Sequence, residues 1–312
     1  MHVRAISLLL GLTAAALAGL PAARAQDAPQ PTFRATVDLV SVAAVVRDKK
    51  GRIVRSLSAE DFVVTDAGSP REIVDLQTDE TAPASVALLV DGSGSMAFGA
   101  VRAASRQICE VILRFLQSDR DMAALMSFDT RLITHSEFTG EFDRILRGLD
   151  ELDAFGSTSI YDAIAGSAAA VADRARQRRA LVVLTDGSDN ASIYSPEEVA
   201  WIASTIDVPI YVFALGDVDP SAPPRDDDAD GPAWHALFEL ARATGGDYFV
   251  APTPARVVAA TARLLDELRH QYLIAFEPTP ASGLRSIEIG VRDEDLNVRA
   301  RRWYAPGPGS GD

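Results

Sequence analysis

Asp91-Gly92-Ser93-Gly94-Ser95 sets one carboxylate and two hydroxyls at alternate positions, with glycine between them. Short oxygen-bearing side chains on a turn that glycines allow to fold tightly can converge on one point, and hard cations such as Mg²⁺ take oxygen ligands. A second acid, Asp186, ends the apolar run ALVVLTD (180–186), as Asp91 ends SVALLVD (85–91). If these runs are neighbouring strands, both carboxylates meet at one site. The plainer alternative for DGSGS is a Gly/Ser turn that caps a helix, which would use only one of the three side chains. For Asp186 it is a strand-ending turn.

Other chemistry is sparse. Residues 226–231, Asp226-Asp227-Asp228-Ala229-Asp230-Gly231, imitate the start of a calcium loop, but the twelfth position is Leu237 where a bidentate glutamate is required. Among Pro220, Pro223, Pro224 and Pro232 the run reads as a solvated acidic loop. No catalytic set is visible: Ser93 is not in GxSxG, there is no phosphate loop with its lysine, and His135, His235 and His270 lack HExxH spacing. His270 ends a helical pattern, where a cation suits the helix dipole. Cys109 is the one cysteine, so no internal disulfide is available, and its place beside an apolar helix face suits a small buried hydrophobe.

The two acid-ended runs are almost continuously apolar, as strands buried on both faces of a parallel sheet must be. Helical periodicity follows the first through Val101, Ala104, Ile108, Ile112 and Phe115. Strands are then expected at 123–128 and 132–138, helices near 141–149 and 160–173, and the second buried strand at 180–186. Ser195-Pro196-Glu197-Glu198 is a capping box with proline at the first helical position, opening a helix to about 204. A strand at 209–214, a helix at 234–244 closed by Gly245-Gly246, a strand at 247–250 and a helix after Thr253-Pro254 complete the alternation. That last helix is expected to turn Val257, Val258, Leu264, Leu265 and Leu268 inward. Such alternation defines a doubly wound α/β unit over about 84–269.

Both flanks read as β. Positions 37, 39, 43 and 45 are apolar in a strand-like pattern, 48–51 reads as a turn, and 62–64 and 73–74 offer short strands. After the last helix, 272–276, 287–291 and 296–300 are apolar or alternating. Neither flank has enough strands to stand alone, so 33–80 and 271–304 are expected to pair into one small β-sandwich flanking the α/β unit or receiving it as an insertion. The expected segments are 1–25, 26–82, 83–270, 271–305 and a disordered tail at 306–312.

Residues 1–25 have the form of a cleaved secretory signal: a basic start at Arg4, an apolar run from 5 to 20, and Ala23-Arg24-Ala25 before the cut. Export to the periplasm or the exterior without a lipid anchor is the expectation, and the apolar run is too short for a span. The formal charge is −14, and cleavage after Ala25 would remove Arg4 and Arg24 and take it to −16. Nucleic acid and anionic membrane are therefore poor partners.

The chain resembles the von Willebrand factor type A family over about 84–269. That family's metal ion-dependent adhesion site joins DxSxS to a distant threonine and aspartate. Asp91, Ser93 and Ser95 match the first motif, Thr158 in GSTSIYDA (156–163) matches the threonine loop, and Asp186 in Thr185-Asp186-Gly187 matches the strand-ending aspartate. QYLIAFEP (271–278) and RRWY (301–304) look like the tail of exported bacterial relatives abundant in acidobacteria. The resemblance implies a divalent cation, Mg²⁺ before Mn²⁺ or Ca²⁺, held by Asp91, Ser93, Ser95, Thr158 and Asp186, with the hydroxyls direct ligands and the two carboxylates acting largely through water. It implies a non-enzymatic protein-binding, adhesion or scaffold module of the cell envelope whose partner offers a Glu or Asp carboxylate. The rival readings are a structural domain with a vestigial metal site and a non-catalytic subunit of an envelope enzyme.

Overall fold

The computed structural model describes residues 39–305 except 79, 98, 153–155, 173–177, 187–188, 216–232, 252 and 280–282. The signal-like 1–25, the acidic run 226–231 and the tail 306–312 lie outside the described residues.

The first strands are β1 (Val40–Asp48), β2 (Phe62–Asp66), β3 (Ser69–Arg71) and β4 (Ile73–Gln77). The α/β part follows: β5 (Ala84–Asp91), α1 (Gly99–Phe115), β6 (Met122–Phe128), β7 (Leu132–Thr139), α2 (Phe142–Asp150), α3 (Ile160–Ala172) and β8 (Arg178–Thr185). It continues with α4 (Pro196–Thr205), β9 (Ile210–Ala214), α5 (Ala233–Ala243), β10 (Tyr248–Val250) and α6 (Pro254–Arg269). The chain returns to strands with β11 (Tyr272–Phe276), β12 (Arg285–Val291), β13 (Leu296–Ala300) and β14 (Trp303–Tyr304).

Six strands form one sheet in the order β10-β9-β8-β5-β6-β7, parallel except for the edge pair β6/β7. Every residue of β5 is buried, because helices cover both faces. Val86, Leu88 and Val90 pack into the core formed with α1, α2 and α6, while Ala87 and Leu89 pack into the core formed with α3, α4 and α5. Ser195 caps α4 as its sequence dictates: its hydroxyl accepts from the Glu198 amide at 3.2 Å, and Glu198 accepts from the Ser195 amide at 2.8 Å. Gly245 adopts φ +85° at the end of α5, and a Cβ on Gly246 would collide with the Ile210 main chain, so both glycines are structural requirements.

The flanking segments interleave into two four-stranded antiparallel sheets, β13-β1-β11-β4 and β14-β12-β2-β3. Their facing residues share one core that includes Val42, Val46, Val64, Ile274, Phe276 and Ile289. The N- and C-terminal segments thus make a small sandwich beside the doubly wound sheet, as expected.

Three details differ from the sequence expectation. The inward residues of β1 are Val42, Ala44 and Val46, one position out of phase with 43 and 45; Val45 on the opposite face is buried as well, which hides the alternation. Phe115 and Val258 are expected inward but are 44% and 46% exposed, because α1 and α6 turn Leu113, Val257 and Leu264 to the core instead. β3, with Pro70 at its centre, carries no apolar pattern and is legible only from its pairing to β2. Cys109 is fully buried as expected, and burial pushes its thiol up to about 12.

The sandwich holds an ion cluster around Asp66. Its Oδ1 accepts from Arg285 Nε at 2.7 Å and from Tyr304 Oη at 2.9 Å, and its Oδ2 accepts from the Thr279 hydroxyl at 3.2 Å. Burial alone would raise this carboxyl, but those donors outweigh it and hold the group below the ordinary 3.8. A carboxylate with a lowered folded pKa contributes stability above its unfolded pKa and loses it as pH falls through the folded one. The urea midpoint followed by tryptophan fluorescence is therefore expected to drop from pH 5 to pH 2.5, and the drop to shrink in Asp66→Asn. An equal drop in the variant would exclude Asp66 as its source.

Candidate functional site

After β5 the chain winds outward through β6 and β7, then returns to place β8 on the other side of β5. The helix after β5, α1, covers one face and the helix after β8, α4, covers the other. A reversal of this kind opens a crevice at the carboxyl ends of the two strands. The registers Asp91↔Phe128 and Val90↔Leu184 bring Asp91, Asp129 and Asp186 to that one end, on strands about 4.8 Å apart.

Asp91 is only 2% exposed. Its Oδ1 accepts from the Ser93 amide at 2.8 Å and its Oδ2 accepts from the Thr185 hydroxyl at 2.6 Å, so the carboxylate is fixed at both oxygens. Burial pushes its pKa up, these donors offset part of the rise, and the charge on Asp186 adds to it. Among the described residues no arginine or lysine pairs with Asp91. Ser93 is buried beside it, Asp186 is half-buried, and Ser95 lies in the 3-10 turn Gly94–Ala97, its side chain outside the described atoms.

Thr158 is 3% exposed and lies just before α3. Its amide donates to Asn190 Oδ1 at 3.0 Å, and its carbonyl accepts from the Asn190 and Ala191 amides at 3.0 and 3.1 Å. The main chain is saturated, which leaves the hydroxyl as the remaining polar group. Gly156 reaches this loop through φ +100°, where a Cβ would come 3.6 Å from Asp129 Cβ, and the Ser159 amide donates to the Asp129 carbonyl at 2.8 Å. Asp189 Oδ1 accepts from the Ile160 amide at 2.9 Å, an acid at the N-terminus of α3 where the helix dipole favours one.

Of the five residues singled out from sequence, Asp91 and Ser93 are bonded to each other, Asp186 acts electrostatically on Asp91, and Thr158 is tied to the loop that follows Asp186. Sequence reasoning missed the supporting layer of Thr185, Asp189, Asn190 and Asp129. Thr185 and Asp189-Asn190 flank the strand-ending aspartate directly, and that proximity was the available signal. The donors are all oxygen, with hydroxyls beside carboxylates, and they suit a hard divalent cation. No cluster of three or more His, Cys, Asp or Glu gathers among the described residues, so a cation here would depend on the hydroxyls too.

A doubly wound sheet with acids ending its central strands is the architecture of the von Willebrand factor type A class. Residues 86–188 match the family model of the von Willebrand factor type A domain, and the α/β part of this chain has that fold. No curated protein matches the chain in sequence. Among solved structures it is similar to proximal thread matrix protein 1 of the mussel byssus in a form with a zinc-occupied MIDAS motif. The two are 16% identical over 64% of this chain and 48% of that one, with a TM-score of 0.51. It is also similar to a von Willebrand factor type A protein of Catenulispora acidiphila (12% identity, 88% and 76% covered, TM-score 0.49). A third is BatB of Bacteroides thetaiotaomicron, titled a conserved hypothetical protein (17%, 59% and 98%, 0.48). At these identities the likeness is one of fold. No helix among the described residues is long and apolar enough to cross a membrane.

Proposed function

We propose that this chain is a protein-binding module of the cell envelope, without catalytic activity of its own, in which Asp91, Ser93, Ser95, Thr158 and Asp186 hold a divalent cation, Mg²⁺ by preference. The observation that carries the reading is the buried Asp91 carboxylate, fixed in place and aggravated by Asp186, with no arginine or lysine among the described residues paired to it. A buried anion without a counter-charge is costly, and a bound cation would relieve that cost. When bound, the cation would offer an open position to a carboxylate from outside. Neutral hydroxyls at Ser93, Ser95 and Thr158 would leave it under-neutralised, so that an acidic side chain of a partner is attracted despite the formal charge of −14 on this chain. The mussel byssus protein with a zinc-occupied motif supports the chemistry at the level of fold. Export rests on the form of residues 1–25 alone.

The test is capture. The full-length mature chain immobilised in Mg²⁺ is expected to retain envelope proteins that EDTA releases, and Thr158→Ala is expected to retain at least about tenfold less, since one direct ligand is gone. Capture that persists in EDTA and in Thr158→Ala would remove the metal bridge from the reading.

A further inference from the structure

Beyond Asp186 the chain runs over the start of α3 and is pinned there at each step. Asn190 and Ala191 donate to the Thr158 carbonyl. The Ser192 hydroxyl accepts from the Tyr161 amide at 3.0 Å and donates to Asp189 at 2.6 Å. The Asp162 carboxylate then accepts from the Ile193 and Tyr194 amides, each at 2.9 Å. The capping box of Ser195 closes the segment immediately afterwards. A loop with this many main-chain bonds has little freedom left.

At its tip, nevertheless, Ile193 is 90% exposed and Tyr194 45% exposed. A single exposed apolar residue needs no explanation, but here two adjacent ones are displayed by a rigid loop whose base forms the wall of Thr158. Ile193 is two residues beyond Ala191, so its Cα lies within about 7 Å of a residue bonded to Thr158. A preorganised apolar tip loses little conformational entropy when covered, which is the condition under which apolar contact converts well into affinity. Charge points the same way. Asp162 holds the amides of the tip itself, Asp189 accepts from the adjoining Ser192, Glu197 follows three residues after Tyr194, and the chain as a whole is acidic. An acidic partner residue gains nothing from this rim except at the cation, so further affinity must come from apolar area.

We infer that Ile193 and Tyr194 are the second contact of the proposed cation site. The occupant is a protein segment whose Asp or Glu engages the cation while an apolar side chain within two residues of that acid packs on the tip. This inference rests on the metal-bridge reading and adds the sequence context that the partner must supply.

The test uses random linear heptapeptides displayed on phage, selected on the full chain in Mg²⁺ and eluted with EDTA. The eluted pool is expected to pair Asp or Glu with Leu, Ile, Val or Phe within two positions. A synthetic peptide from that pool is expected to bind Ile193→Ser about tenfold more weakly, with Mg²⁺ affinity unchanged. An acid-enriched pool without the apolar neighbour, or a peptide indifferent to Ile193→Ser, overturns the inference and leaves the metal bridge standing. An EDTA-eluted pool with no acidic enrichment overturns the metal bridge, and the inference with it.

Discussion

Glu267→Ala lowers the unfolding free energy by about 3–5 kcal/mol, the cost of leaving buried cationic groups without their counter-charge. Glu267 is fully buried in α6, where its carboxylate accepts from Arg47 Nη2 of β1 at 2.6 Å and from Arg299 of β13, with Arg263 of α6 3.5 Å away. Arg299 also donates to Asp247 at 2.6 Å and to the Gly245 carbonyl at 3.2 Å. One carboxylate thus joins both flanking segments to the α/β part, and its loss exposes no water to Arg299 in compensation. Urea denaturation measures the effect. Glu267→Leu combined with Arg299→Leu is expected to recover part of it, because the desolvation cost of both charges disappears together and Asp247 keeps Arg263 at 2.7 Å, while Arg47 still loses its partner. A loss below about 1 kcal/mol in the single variant would show that the cluster is dispensable.

Asp91→Ala is expected to behave in the opposite manner: no loss of stability without metal, and loss of metal response. Removing a buried anion that pairs with no arginine or lysine among the described residues relieves its desolvation, set against the two hydrogen bonds it accepts from the Ser93 amide and the Thr185 hydroxyl. The core packs around Val90 and Leu184, and the aspartate only terminates the strand. The wild-type chain should gain about 2.7 kcal/mol of stability when Mg²⁺ is supplied at about a hundred times its dissociation constant. Asp91→Ala should gain no more than about 0.4 kcal/mol at that concentration, since a cation affinity about 100-fold lower, the upper end for outer-shell carboxylates, puts the ion near its new dissociation constant. Melting curves with and without Mg²⁺ read both halves of the prediction. A melting temperature that collapses in Asp91→Ala without metal would mean that the carboxylate is structural.

The parts legible in sequence were those written locally. β5 and β8 announce themselves because burial on both faces requires unbroken apolar runs, and their terminal acids mark the crevice end without any knowledge of the sheet. The capping box at Ser195 needs only four residues. What stayed hidden depends on groups far apart in the chain. Arg47, Glu267 and Arg299 meet across separations of 220 and 32 residues, and nothing near any of them signals the others. The same holds for Asp66 with Arg285 and Tyr304. Thr185 reads as an ordinary strand residue until the parallel register sets it against Asp91. The phase of β1 was misread because the outer face of that strand is covered too, which removes the alternation on which a period-two reading depends.

The central claim is the cation proposed at Asp91 and its neighbours, and calorimetric titration of the chain with Mg²⁺, Mn²⁺ and Ca²⁺ tests it most directly. The account predicts one saturable site per chain for at least one of these ions, weakened by Thr158→Ala and weakened about 100-fold by Asp91→Ala. No saturable binding by the wild-type chain, or equal binding by Asp91→Ala, would contradict it.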